Sequence, residues 1–163
     1  MLVGQAPGKK EVETRQLFIG PAGRRLFNWL AAAGWEEAPF RNHCYITAVL
    51  KCFPGKSERG DLKPTTWQLA NCAKWLESEL ELIQPEVIIL AGQLAVQRFL
   101  GKVKLSEVIG KLFRKEIAGQ EVSLIPLPHP SGASAWTNRP ENQKLIFRAI
   151  AFLNPLATPT DRR

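Results

Sequence analysis

The chain has 163 residues, of which 45% are hydrophobic, with 22 Lys plus Arg against 15 Asp plus Glu for a formal net charge of +7. That length fits one domain with a sizeable core, and no run reaches the ~18 apolar residues a membrane span needs. Three cysteines, Cys44, Cys52 and Cys72, form no CxxC pair, which argues against a disulfide framework and for a reduced, cytoplasmic compartment. The basic balance favours polyanions. Lys9, Lys10, Arg15, Arg24, Arg25, Lys51, Lys56, Arg59 and Lys63 fall largely near Gly/Pro-rich loops, which leans toward nucleic acid. No signal peptide precedes Leu2, and a start on what reads as a buried strand points to a missing preceding segment.

In chain order, Met1–Val3 reads as a strand and Gly4–Gly23 as a long polar loop. Leu26, Trp29, Leu30 and Ala33 recur at helical spacing, giving a helix from Ala22 to Ala33 closed by Gly34. Cys44–Leu50 is a buried strand, and Lys51–Lys63 a second polar loop. Pro64 opens a long helix to Ile83, with Trp67, Ala70, Leu76, Leu80 and Ile83 as its apolar face. On that reading Trp67 and Trp75 pack in the core. Glu86–Ala91 is a strand, Gln93–Leu100 a helix and Leu105–Ile109 a short helical turn. Leu112–Ile117 and Val122–Ile125 pair as strands around Ala118-Gly119-Gln120. Asn138-Arg139-Pro140-Glu141 caps and opens a last helix to Leu153, and 154–163 is a loose tail. Strands separated by helices imply parallel βαβ units, hence a three-layer α/β/α domain over residues 1–153.

Two loops stand out. Gly4-Gln5-Ala6-Pro7-Gly8 follows the first strand, and Leu127-Pro128-His129-Pro130-Ser131-Gly132 follows a late one. Ligands bind at the carboxyl edge of open α/β sheets, and two such loops can build one site there. The first lacks GK[ST], so it is no P-loop. Phe18-Ile19-Gly20-Pro21-Ala22-Gly23 is either a phosphate-accepting helix start or a plain helix entry with Phe18 in the core. Glu11 and Glu13 read as solvated loop residues rather than general bases, and His43 as a surface or capping residue. Trp136, after the small-residue loop, is either packed or an exposed platform for an unstacked base. Cys52 and Cys72 are too few for a structural zinc or iron–sulfur site.

Taken together, these stretches resemble the uracil-DNA glycosylase superfamily, closest to its iron–sulfur fourth family. That family shows GEAPG, F(V/I)GPAG, an ITN strand running into KC, a long helix bearing Cys, a PxVI strand and HPS. The counterparts here are GQAPG at Gly4, FIGPAG at Phe18, ITAVLKCFPG at Ile46, the helix with Cys72, PEVIILAG at Pro85 and HPSG at His129. The resemblance spans about Met1–Leu153.

The resemblance implies a central, mainly parallel four-stranded sheet and a monomeric enzyme of base excision repair. The enzyme takes a base flipped out of DNA and hydrolyses its N-glycosidic bond. It implies that His129 and Gln5 serve catalysis, and that Ala6, Phe18, Ala48 and His129 meet the base. It further implies that Gly20, Pro21, Ala22, Gly23, Pro130, Ser131, Gly132 and Trp136 face DNA. Two departures bear on activity. Gln5 stands where the family has a carboxylate, and Ala48 where it has the asparagine that reads a pyrimidine edge. A catalytically weak or inactive DNA-binding member of the same fold is therefore the alternative. Cys52 and Cys72 match two of four cluster ligands, so no cofactor is expected in this chain. A 4Fe-4S cluster requires ligands from outside it or from a missing N-terminus. A small-molecule α/β hydrolase lacks its G-x-S-x-G elbow here.

Overall fold

Apolar residues alternate along the inner strands, and the alternation assigns them to two faces of one sheet. Leu2, Ile89, Ala91, Ile125 and Leu127 join one buried cluster, and Val3, Ile88, Leu90, Val122 and Leu124 the other. Side chains two apart on a strand share a face, so both faces need helical cover. The structure is a computed structural model describing residues 1–58, 60–131 and 135–157.

The strands are β1 (Leu2–Gly4), β2 (Ile46–Ala48), β3 (Lys56–Ser57), β4 (Gly60–Asp61), β5 (Val87–Ala91), β6 (Phe113–Ile117) and β7 (Gln120–Leu127). The helices are α1 (Lys9–Thr14), α2 (Pro21–Ala31), α3 (Glu37–His43), α4 (Thr66–Ile83), α5 (Gln93–Leu100), α6 (Leu105–Val108), α7 (Pro140–Ala151) and α8 (Asn154–Ala157), with a 3-10 turn at Ala135–Asn138. The main sheet runs β2-β1-β5-β7-β6. It has five strands where four were expected. β2, β1, β5 and β7 are parallel, and β6 adds to the edge antiparallel to β7. The tight Ala118-Gly119 turn, with both residues at positive φ, returns the chain directly alongside itself and makes β6 an extra edge strand. β6 shows the solvent a charged middle, Arg114-Lys115-Glu116.

Helices cover both faces. Leu26, Phe27, Trp29 and Leu30 of α2, Phe40 of α3, and Ile146, Ala149 and Ile150 of α7 pack on the Leu2 face. Leu76 and Leu80 of α4, with Ala95, Val96 and Phe99 of α5, pack on the Val3 face. Pro21 and Pro140 each open their helix, where a missing N–H costs nothing. α4 begins with a capping box: Gln68 N–H donates to Thr65 Oγ1 (3.2 Å) and Thr65 N–H to Gln68 Oε1 (2.9 Å).

Several expectations change. The first loop contains α1, and α3 lies between α2 and β2. The second loop contains the β3–β4 hairpin. Trp67 and Trp75 are 74% and 56% exposed, so they are not core, and Ala70 and Ile83 are also exposed. The buried stripe of α4 is set by Leu76 and Leu80. Trp67 lies nine positions before Leu76, about two and a half turns of a 3.6-residue helix, and so faces the opposite way. The tail begins with a helical turn, α8, whose Leu156 N–H donates to the Leu153 carbonyl (2.9 Å). Residues 158–163 lie outside the described residues.

Gly23 is the tightest point of the α2 approach. A Cβ there would fall 1.7 Å from the Phe18 carbonyl oxygen. Gly23→Ala is therefore expected to destabilise the fold by about 3 kcal/mol through overpacking, seen in thermal melts as a drop of about 6–12 °C.

Candidate active site

Four strand ends meet at one edge of the sheet. β1 runs out into Gln5 and Ala6, β2 ends at Ala48, β5 is followed by Gly92, and β7 by Pro128 and His129. The strand order reverses between β1 and β5, the place where open α/β sheets leave a crevice. The loops after β1 and β2 are stitched together. Val49 N–H donates to the Gly4 carbonyl and Leu50 N–H to that of Gln5, both at 3.0 Å. A cavity of about 320 Å³ opens here, and its wall brings together Gln5, Ala6, Phe18, Ala48 and His129, with Gly20, Pro21 and Ala22 alongside.

His129 is half-buried and packs over Gly92. A Cβ on Gly92 would lie 3.2 Å from His129 Cδ2, and Gly92 has φ of +99°, so glycine meets both the space and the backbone requirement. Ser131 N–H donates to His129 Nδ1 (3.3 Å). With Nδ1 accepting, the proton of the neutral ring belongs on Nε2. Burial pushes the ring's pKa below the ordinary histidine value, and the negative charge of Glu11 pulls weakly the other way. The site thus holds a neutral imidazole with one N–H to give.

Phe18 is 9% exposed and sits at φ +58°, the left-handed region. That conformation costs a bulky residue about 1–3 kcal/mol, and polar clamps on both sides hold it. Glu11 Oε1 accepts from Phe18 N–H (2.6 Å), while Oε2 accepts from Gly8 N–H (2.7 Å). Arg41 donates from Nη1 to the Leu17 carbonyl and from Nη2 to the Phe18 carbonyl, each at 2.9 Å. Hydrogen bonds to charged groups are worth about 1.5–3 kcal/mol each, enough to offset the strain. Glu11 is therefore neither a solvated loop residue nor a free base. It braces the loop, and the ring of Phe18 lies over Gly4, where a Cβ would meet it at 2.9 Å.

The other expected site residues are placed less centrally. Gly23 is buried beneath the Phe18 carbonyl. Pro130 is buried and Ser131 half-buried. Arg25 ties Ser131 to the 3-10 turn, donating to its carbonyl (3.4 Å) and to Asn138 Oδ1 (2.6 Å). Trp136 is half-buried and packs against the core cluster, so much of its indole is committed. Gly132 lies outside the described residues. His43 binds the Pro39 carbonyl through Nδ1 (2.8 Å) at the end of α3, a capping role.

The cavity wall also contains Lys9, Lys10 and Asp61. Their type alone marks none of them: exposed charges in loops are common, and only the folding of α1 and the β3–β4 hairpin brings them to the rim. Ala48 and Glu11 also border a neighbouring cavity of about 370 Å³, beside Thr47 and Lys51. There Lys51 Nζ donates to Thr47 Oγ1 and Glu79 Oε2, both at 2.6 Å, tying the end of β2 to α4.

The model of the uracil-DNA glycosylase superfamily matches residues 1–153. The chain belongs to that superfamily. It is 32% identical to the type-4 uracil-DNA glycosylase of Archaeoglobus fulgidus over 98% of this chain and 79% of the relative. It is 32% identical to that of Pyrobaculum aerophilum over 80% of this chain and 65% of the relative. It is 26% identical to that of Sulfurisphaera tokodaii over 99% and 71%.

A four-iron cluster takes four thiolates, and the chain has three cysteines. Cys52 is exposed, Cys72 half-buried, and burial pushes the Cys44 thiol pKa up, away from the thiolate a ligand needs. Among the described residues no three His, Cys, Asp or Glu are grouped to hold a metal. The residues present do not by themselves fit the cluster. No helix of the described residues is long and apolar enough to cross a membrane.

The neutral state of His129 can be read directly. Ring-nitrogen NMR is expected to show the Nε2–H tautomer at neutral pH and a titration midpoint below the roughly 6.5 of a free histidine. The sign for stability follows. With the folded pKa depressed, the unfolded chain binds the proton more readily, so this group's contribution is intact above about 6.5 and is lost as pH falls through the lower folded value.

Proposed function

We propose that this chain is a DNA glycosylase that draws a flipped, deaminated base into the 320 Å³ cavity and hydrolyses its N-glycosidic bond. A base in the duplex stack is out of reach, so chemistry on it requires extrusion into a pocket. The observation that carries the reading is the pairing of Phe18 and His129 in one wall, each fixed by its own hydrogen bonds. Phe18 offers an aromatic face on which any base stacks. His129 Nε2–H donates to the base oxygen that gathers negative charge as the bond breaks, an interaction that grows toward the transition state. Gln5 orients the water and, with the Ala6 backbone, lines the sugar side. Gly20–Ala22, Pro130 and Ser131 approach the phosphates, with Lys9 and Lys10 supplying charge at the rim. The names of the type-4 relatives, uracil-DNA glycosylases, support deaminated bases in DNA as the substrate class.

A weak or inactive DNA-binding member is the second reading, favoured by the alanine methyl at position 48 and the amide at position 5. An oligonucleotide panel carrying uracil, hypoxanthine or xanthine, followed by alkaline cleavage of abasic sites, separates the two. Binding with no strand cleavage on any base supports the second.

On the base that is cut, His129→Ala is expected to lower the single-turnover rate by about 10²–10³ while leaving DNA affinity near wild type. A rate within about threefold of wild type, with the fold intact, removes His129 from the chemistry. Ala48→Asn puts a donor and an acceptor against a pyrimidine edge, so it is expected to raise uracil excision relative to the other bases. An unchanged ratio in the same assay would count against Ala48 as the base-reading position.

A further inference from the structure

Hydrolysis of a glycosidic bond ordinarily uses a carboxylate, either to take the proton of the attacking water or to face the cationic sugar. Gln5 offers none. Two carboxylates nevertheless stand in the cavity wall, Glu11 and Asp61. Glu11 is spent on structure, one oxygen on Gly8 N–H and the other on Phe18 N–H. Asp61 is different. Among the described residues its side chain has no hydrogen-bond or ion-pair partner. It closes the β3–β4 hairpin, where it pairs in register with Lys56. The hairpin's base is fixed by Leu62 N–H donating to the Gly55 carbonyl (2.9 Å). The hairpin sets Asp61 against the first loop, with Oδ2 3.8 Å from where a side chain on Gly8 would begin.

We propose that Asp61 is a catalytic residue of this site, supplying from the β3–β4 hairpin the carboxylate that Gln5 does not. The proposal rests on the glycosylase reading above. As the bond between the sugar C1′ and the base nitrogen breaks, its electron pair leaves with the base, where His129 Nε2–H meets the charge. Water oxygen adds to C1′, and the water proton passes to Asp61. Asp61 then returns that proton to solvent, and the base anion takes one up, so charge and atoms balance. Gln5 and Asp61 divide the work: the amide holds the water, and the carboxylate accepts its proton.

The test is single-turnover excision, DNA affinity by anisotropy and melting temperature for wild type and Asp61→Asn, on the base the panel identifies. Asp61 is exposed, so the variant is expected to fold with an unchanged melting temperature. Its rate is expected to fall by about 10²–10⁴, the range for a lost acid–base group. Its affinity should stay equal or tighten, because a negative charge beside a polyanion is removed. A rate within about threefold of wild type overturns the proposal alone. Rate and affinity falling together also overturns it, since the hairpin then serves DNA docking. A wild-type chain that cuts no base on the panel overturns the glycosylase reading and this proposal with it.

Discussion

One carboxylate holds the mouth of the cavity in shape. Glu11 gathers two backbone N–H groups ten residues apart in sequence, those of Gly8 and Phe18, and so closes the long first loop on itself. That closure is one of the two clamps that hold Phe18 at φ +58° with its ring over Gly4. Arg41 completes the arrangement from the other side by holding the carbonyls of Leu17 and Phe18, with its guanidinium 4.6 Å from the Phe27 ring. The platform is thus carried by two opposite charges: Glu11 is used by backbone N–H groups, while Arg41 holds two backbone carbonyls and is itself steadied by Glu37 Oε1 (2.9 Å). Gly23 supplies the complementary constraint, since only a hydrogen fits beneath the Phe18 carbonyl.

The same economy governs His129. Its ring is positioned by a bare glycine at the end of β5, its tautomer by a backbone N–H, and its charge state by burial. None of these depends on another side chain's ionisation except the opposing pull of Glu11. A loop brace and an imidazole are thereby electrostatically linked across the cavity, although neither touches the other through a hydrogen bond among the described residues.

Much of this was legible in the sequence because strand alternation, helical spacing and the two Gly/Pro loops each have a strong local signature. β5 and α5 sit where their patterns place them, and apart from Ala48, at the end of β2, the residues gathered in the cavity wall come from segments that those patterns delimit as loops. What stayed hidden is physically distinct. α1 buries no residue, so no hydrophobic period announces it. Glu11 looks like any solvated glutamate until the chain folds back to Phe18. Trp67 and Trp75 read as core because aromatics usually are, whereas the phase of Leu76 and Leu80 turns them outward. The hairpin carrying Asp61 has two-residue strands, too short for any alternation to register. The fifth strand followed from a visible turn, but the number expected from the family resemblance did not include it.

The edge position of β6 governs how copies of this chain meet at high concentration. An open sheet edge is a template for further strands, and charged residues along it are a common safeguard. Arg114, Lys115 and Glu116 lie exposed along β6, with Arg114 bridged to Glu121 on β7 (3.1 Å). The opposite edge, β2, is three residues long. A sheet bounded by a charged strand and a stub offers little for a neighbouring backbone to extend, which favours colloidal stability in a protein whose cavity edge must remain open.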